Sequence, residues 1–422
     1  MLGCSTGLRT PDSGLRTVVM PDYLIIGAGV IGLTIALELR RRFPQASITV
    51  LEKESAAGEH ASGRNSGVLH AGFYYTADSL KARFCRDGNR AMRDYCTSHN
   101  LPLNQCGKLV VAKNHGELAG LDELHRRGRA NGVDVTLISE ADAKRIEPRV
   151  KTIERALWSP TTASANPIQV IAAMARDCMD AGITLRTGIA YRSGGPGRVL
   201  TSDDPIDAGY IINCAGLYAD RVAKDFGFCQ HYTILPFKGL YLYSDEPHGS
   251  LHTHIYPVPD LKFPFLGVHF TVTVDGHTKI GPTAIPAFWR EHYTGLERFD
   301  LAEMIEITLR EASLMLNAGF DFRGLALQEM KKFSPSFLVG QAAHLLSGVH
   351  HEDYTRWGRP GIRAQLLDLK KRTLVMDFVV EGDRQSLHVL NAVSPAWTCS
   401  MPFATHVVDQ MTSLRDGGHI NQ

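Results

Sequence analysis

The stretch Tyr23-Leu24-Ile25-Ile26-Gly27-Ala28-Gly29-Val30-Ile31-Gly32 decides the fold, together with Glu52 further on. Tyr23 to Ile26 is a short apolar β-run that breaks at Gly27, and Val30 to Arg42 reads as a helix with Ile31, Ile35 and Leu39 on one side. A second β-run, Ser47 to Leu51, completes a β-α-β unit. In that context Gly27, Gly29 and Gly32 supply a tight turn, room for a pyrophosphate to approach the backbone, and close packing of helix on strand. The helix N-terminus then faces the phosphates. Glu52 ends the second β-run, where a carboxylate accepts hydrogen bonds from a ribose diol. The unit predicts an α/β, Rossmann-like domain and serves NAD or FAD equally well.

The next segment favours FAD. Ser62-Gly63-Arg64-Asn65-Ser66-Gly67 is rich in small residues and backbone donors, and lies in a long aperiodic loop from Ser55 to Tyr75. A flavin nucleotide needs chain approaching the pyrophosphate and ring edge from a second direction, which such a loop supplies. Ser62, Arg64, Asn65 and Ser66 are therefore candidate cofactor contacts. Cys214-Ala215-Gly216 is a second small-residue turn, ending a predicted strand. Asn391 and Ser394, just before the last helix, fit a cofactor-contacting helix start, although capping alone would also explain them. No residue pattern singles out a covalent link, so the FAD is expected to be non-covalent.

Working outward, 422 residues with 44% hydrophobic and 21% charged composition are ample for a packed core, and a chain of this length is expected to split into two domains. A net charge of +1 gives no basic field, so nucleic acid is not an expected partner. Eight scattered cysteines without a C-x-x-C pair imply a reducing compartment and no metal. Residues 1–20 lack the apolar run of a secretory signal and read as a flexible extension. No stretch approaches the ~20 apolar residues of a membrane span, while peripheral contact stays open.

Helical patterns from Ser79 to Asn100 and Glu117 to Asn131 flank a β-run at Lys108 to Lys113 and suggest an insertion. Gly239 to Tyr243, Gly267 to Val274 and Thr278 to Gly281 read as antiparallel strands, with Asp275-Gly276 as a hairpin turn. A helix near Met401 to Met411 closes the chain. The expected organisation is a discontinuous Rossmann-like FAD domain (21–80, 150–232, 345–418) plus an α+β, antiparallel-sheet substrate domain (81–149, 233–344).

Leu51-Glu52-Lys53-Glu54 and Arg64-Asn65-Ser66-Gly67-Val68-Leu69-His70-Ala71-Gly72-Phe73-Tyr74-Tyr75, with Ser79-Leu80-Lys81-Ala82, closely resemble the L-2-hydroxyglutarate dehydrogenase/oxidase family, part of the D-amino-acid-oxidase-like flavoproteins. Cys106 to Leu109, Cys214 to Arg221, Pro236 to Gly239, Ile255 to Asp260, Phe263 to Thr271 and Gly361 to Gln365 resemble that family's segments in the same order. The resemblance implies oxidation of L-2-hydroxyglutarate to 2-oxoglutarate, with electrons passing to quinone or oxygen, and adds Lys53 to the cofactor contacts. It places the protein in the cytoplasm, with peripheral contact at an inner membrane open and a mitochondrial location in a eukaryote. The chain departs from the family pattern at Arg64, where histidine is common, at Lys238, where arginine is common, and at Val393 and Trp397.

Oxidising a secondary alcohol requires its C–H hydrogen to leave as hydride while a base takes the hydroxyl proton, and histidine suits that role near neutrality. His70 is the first candidate because it ends the loop set against the cofactor and matches a histidine of the resembled family. His388 and His269 are further candidates, the first catalytic and the second substrate-binding. A carboxylate calls for a planar guanidinium, and Arg363 resembles the arginine that related oxidases use. Lys238 and Tyr256 are candidates for the other carboxylate and for a hydrogen bond. Another 2-hydroxy acid, an amino acid or glycerol 3-phosphate would suit the same set, and an RNA-directed flavoprotein or an inactive subunit are readings from other classes.

Overall fold

The computed structural model describes residues 20–259 and 267–419. The expected extension 1–20, apart from Met20, and the family-like residues 260–266 lie outside the described residues.

Tyr23–Ile26 is a strand with all four side chains buried, because a parallel strand inside an α/β domain is covered on both faces. Alternation sends Tyr23 and Ile25 into a helical layer and Leu24 and Ile26 into the opposite layer, under Val199, Ile206 and Val222. The strand is central in a six-stranded sheet whose order runs Val380–Gly382, Ser386–Val389, Tyr210–Asn213, Tyr23–Ile26, Ile48–Leu51, Thr184–Arg186. All neighbours are parallel except the edge strand Val380–Gly382. Helices Val30–Arg42, Leu80–Ser98, Pro167–Asp180 and Ala396–Arg415 share one apolar core on this sheet.

An eight-stranded sheet forms the second layer system: Arg356–Trp357, Leu242–Tyr243, Thr278–Gly281, His269–Val272, His254–Pro257, Lys108–Val111, Arg155–Ser159, Thr136–Ser139. His269–Val272 and Thr278–Gly281 are antiparallel and joined through the expected turn, with Gly276 at φ +83. A four-stranded sheet links the two systems through an eight-residue antiparallel pairing of Tyr232–Gly239 with Gly361–Asp368.

The elements sort across the expected domain ranges differently at three places. Helix Leu80–Ser98, placed by sequence in the substrate domain, buries Phe84, Cys85, Met92 and Cys96 in the cofactor-domain core. Strands Arg155–Ser159 and Arg356–Trp357, placed in the cofactor domain, belong to the eight-stranded sheet, because the first pairs with Lys108–Val111 and the second with Leu242–Tyr243. The last helix begins earlier than expected, at Ala396, and runs to Arg415. Among the described residues no helix is long and apolar enough to cross a membrane.

Candidate active site

A cavity of about 900 Å³ opens between the two sheet systems. That is near the upper end of the roughly 300–1,000 Å³ typical of ligand pockets. At its floor Gly27 turns with φ +108, and a Cβ on Gly32 would stand 1.9 Å from the Gly27 carbonyl oxygen. Gly32 itself does not line the cavity; it brings the helix against the turn. Gly29 does line it, and its Cβ position lies 3.0 Å from Ser62 Oγ, so the second loop closes on the first from above. Ser62 Oγ accepts the Val30 N–H at 2.9 Å, and the Glu52 carboxylate accepts the Ala28 N–H at 2.9 Å.

Two helices point their N-termini at this cavity: Val30–Arg42, whose first N–H is held by Ser62, and Ala396–Arg415, whose first N–H donates to the Val393 carbonyl. The N–H groups that follow in each first turn, with the positive end of the helix dipole, suit a pyrophosphate. Trp397 also lines the cavity, and its buried indole N–H has no protein partner. A glycine cradle, a carboxylate at the strand end and unspent donors together fit a dinucleotide cofactor.

Other expected cofactor contacts also line the wall: Lys53, Arg64, Asn65, Ser66, Ala215, Gly216 and Ser394. Lys53 is already spent on Glu54 at 2.6 Å and Glu291 at 2.5 Å. Arg64 lays its guanidinium over the Tyr293 ring at 4.1 Å and donates to the Glu59 carbonyl. Glu54, His60 and Glu291 gather within 4.8 Å, where sequence had suggested no metal-ligating group, but Lys53 and Arg298 stand between the carboxylates.

Beside the main cavity lies a chamber of about 80 Å³. The two share Ser66, His70, Tyr241, Arg363, Val393 and Ser394. Tyr256, His269, Lys81, Thr283 and Gln365 also contribute to its polar wall. Burial, with the nearby charge of Lys108, holds His70 well below the ordinary histidine range. His269 is depressed the same way, by burial first, and its Nδ1–H donates to the Gly267 carbonyl at 2.8 Å, leaving Nε2 as an acceptor. Its ring stacks on Tyr256 at 3.7 Å. Behind that tyrosine the Lys108 ammonium, buried and without a hydrogen-bond partner, sits 4.0 Å from the ring centroid. Arg363 donates to the Thr283 carbonyl at 3.0 Å and rests against Gly239, where a Cβ would be 2.9 Å from Nη1.

Three expected site residues are elsewhere. His388 faces away from the cavity: Leu387 and Val389 point into the helical core, so alternation turns His388 to the other layer, against Phe226 and Phe228. There it bonds Asn213 and Ser386. Lys238 pairs across strands with Ile362, whereas Arg363 pairs with Phe237, so Lys238 lies on the face opposite Arg363 and lines neither cavity. Asn391 spends its amide on the backbone of Leu366, Val375 and Asp377, tying the sheet rather than meeting a ligand. Sequence reasoning did not single out Lys81 or Tyr241; Lys81 stood only inside a family-like segment, with no pattern marking its ammonium as inward.

The buried histidines make stability depend on pH. His254, His269 and His388 are buried, and all have folded-state pKa values below the ordinary 6.5, His388 at about 4. His254 Nδ1 accepts the Val272 N–H, a bond that protonation would break. The unfolded chain binds more protons below pH 6.5, so the stabilisation is complete above 6.5 and falls as pH drops, by up to about 1.4 kcal/mol per pH unit for each histidine. Urea midpoints measured from pH 7 to 4.5 should fall steadily, and His388→Gln should flatten the slope.

Comparison with known proteins agrees with this geometry. Residues 22–410 match the family model described as FAD dependent oxidoreductase. The chain is 38% identical over 427 residues to the mitochondrial L-2-hydroxyglutarate dehydrogenase of Nematostella vectensis, covering 92% of this chain and 90% of the relative. It is 33% identical over 402 residues to the L-2-hydroxyglutarate dehydrogenase of Escherichia coli strain K12, covering 94% of each. Among solved structures, the L-alpha-glycerophosphate oxidase of Mycoplasma pneumoniae with FAD bound superposes with a TM-score of 0.74 at 22% identity, over 93% of this chain and 94% of that one. Glycine oxidase of Geobacillus kaustophilus gives 0.68 at 18% identity, over 95% of each. FAD is the cofactor. The chain belongs to the L-2-hydroxyglutarate dehydrogenase family of FAD-dependent oxidoreductases.

Proposed function

We propose that the protein oxidises L-2-hydroxyglutarate to 2-oxoglutarate, with His70 as the base and Arg363 and Lys81 holding the two carboxylates. The observation that carries this reading is the small chamber joined to the cofactor cavity, because a neutral imidazole and two cations line it together. FAD, when bound, supplies the acceptor for the carbinol hydrogen as hydride. The protein's part is to hold the substrate and take the proton. Arg363 grips the carboxylate beside the carbinol through its planar fork. Lys81, 7% exposed, meets the distal carboxylate. The His70 imidazole takes the hydroxyl proton as the C–H bond breaks, so the alcohol loses two electrons and two hydrogens and becomes a ketone. The depressed pKa keeps that imidazole neutral, and the acid limb of kcat/KM is expected below pH 6.5. A second reading exchanges the two histidines, and the acceptor lone pair at His269 Nε2 favours it.

The test is anaerobic mixing of the holoprotein with L-2-hydroxyglutarate, its D-enantiomer, L-lactate, glycerol 3-phosphate and glycine, following bleaching of the flavin. Selective bleaching by L-2-hydroxyglutarate supports the proposal; bleaching by another compound alone overturns the substrate. Lys81→Met should lower kcat/KM for L-2-hydroxyglutarate roughly 10- to 100-fold, the worth of a hydrogen bond to a charged group. It should leave L-2-hydroxyvalerate, of similar length but with a methyl in place of the second carboxylate, nearly unaffected.

A further inference from the structure

Lys108 has no part in the mechanism above, yet it is 0% exposed and its ammonium has no hydrogen-bond partner among the described residues. A buried cation without an acceptor destabilises a fold, and strongly perturbed ionisable groups gather at functional sites. Lys108 opens strand Lys108–Val111, which is buried throughout. Alternation puts its side chain on the face of Val110, which enters one apolar cluster with Phe73, Tyr74 and Tyr256. There the ammonium stands 4.0 Å from the ring centroid of Tyr256, 5.4 Å from that of Tyr74 and 5.7 Å from that of Phe73. Ring faces attract a cation without accepting its protons. One face of Tyr256 is covered by His269, whose ring stacks on it at 3.7 Å, so the ammonium occupies the other face. Cation, phenol ring and imidazole thus follow one another from the interior to the chamber wall.

The two cations in the chamber wall each have an acid nearby, Asp377 for Lys81 and Glu329 for Arg363. Lys108 differs. The ionisable groups that face it are Cys85 from helix Leu80–Ser98, Cys106 just before its own strand, and His70 and Tyr74 from the loop after Val68–Leu69. From the neighbouring strands come His254 and Tyr256, then His269. None of these is a carboxylate, so the charge of Lys108 is uncompensated where it sits. Burial pulls its ammonium down to about 7. His70, His254 and His269 are depressed first by burial, and the positive charge of Lys108 adds to that effect at all three.

We infer that Lys108 is a positioning residue for the oxidation: braced on Tyr256, it supplies from behind the chamber wall the uncompensated positive charge that draws in a dianionic substrate and repels protons from the histidines beside it. The inference rests on the chamber being the substrate site. A dianion feels such a charge twice as strongly as a monoanion does, and the buried setting limits screening by salt. The attraction is greatest below about pH 7, where Lys108 is an ammonium, and fades as rising pH leaves the neutral amine.

The test titrates the FAD-loaded protein with glutarate, a dianion without a hydroxyl to oxidise, and with pentanoate as the monoanion, reading binding from the change in the flavin spectrum. Glutarate affinity of the parent should fall as pH rises from 6 to 8. Lys108→Met should weaken glutarate roughly tenfold at pH 6 and pentanoate about threefold, the order of effect of one unit charge near a buried ligand, and should remove the pH dependence. It should also move the acid limb of flavin reduction by the hydroxy acid to higher pH. Its urea midpoint should hold or rise, because a buried unpaired charge is gone. Unchanged glutarate affinity overturns the inference, as does weaker binding with the pH dependence intact. A lower urea midpoint with parent-like binding also overturns it and makes Lys108 a packing residue. A parent flavin that ignores glutarate but responds to another anion refutes the substrate reading; that anion then replaces glutarate, and the same comparison decides Lys108. A parent that responds to no anion sinks both.

Discussion

His70→Gln should lower kcat/KM for the preferred hydroxy acid by about 10²–10⁴, the usual contribution of a positioned general base. Glutamine keeps the polarity and much of the size of the side chain but cannot take a proton. The side chain lies at the junction of cavity and chamber, and its own backbone N–H is held by Thr398 at 3.2 Å, so the loop is anchored independently of the imidazole. The variant is therefore expected to fold and remain yellow. Stopped-flow reduction of the bound flavin separates the chemical step from turnover by the acceptor. His269→Gln measured beside it decides which histidine carries the proton: if His269→Gln loses the larger factor and abolishes the acid limb of the pH profile, the roles assigned above are reversed.

A second large effect is expected at a buried ion pair behind the wall of the cofactor cavity. Arg290 and Asp220 are 1% and 0% exposed, and the pair is bidentate at 2.7 and 2.9 Å. Asp220 also accepts the Ile234 N–H, and Arg290 reaches the Leu217 carbonyl. The pair ties the helix after the Cys214-Ala215-Gly216 turn to the loop that leads into helix Leu301–Leu316. Asp220→Ala strands a guanidinium in the core and should cost about 3–5 kcal/mol, read as a fall in the urea midpoint of the holoprotein. The double variant Asp220→Leu/Arg290→Met should recover most of that loss, because the charge then no longer needs a partner. If the double variant is as unstable as the single, the loss comes from the backbone bonds of Asp220 and not from the unpaired cation.

The first hundred residues made the cofactor half legible because its signals are local. A β-run, a glycine turn and a helix lie within twenty residues of one another, and Gly27 and Gly32 are each required by a backbone contact that a Cβ would violate. The closeness of the Ser62 loop to the glycine turn is also consistent with order along the chain, since the loop leaves soon after Glu52. The chamber was less legible. Its wall draws on residues from 66 to 394, and nothing local says which side chain of a strand points inward. That is why Arg363 was placed with the help of family resemblance, while Lys238 and His388, each in an equally plausible strand, proved to lie on the wrong face. Lys81 escaped because a lysine near a helix start ordinarily reads as solvated. Helix Leu80–Ser98 was misplaced for a related reason: its amphipathic pattern specifies that one face is buried but not against which core.

The Ala396–Arg415 helix has a consequence for biosynthesis. It lies against Val30–Arg42, its N-terminus completes the cofactor cavity, and the strand just before it pairs with Tyr210–Asn213. Segments far apart along the chain are thus neighbours across this cavity. During translation the glycine turn is made long before its closing helix, so the two halves of the flavin grip come together only after most of the described residues have been synthesised. Flavin capture therefore belongs late in folding, and a polypeptide short of flavin would hold helix Val30–Arg42 only loosely against Ala396–Arg415.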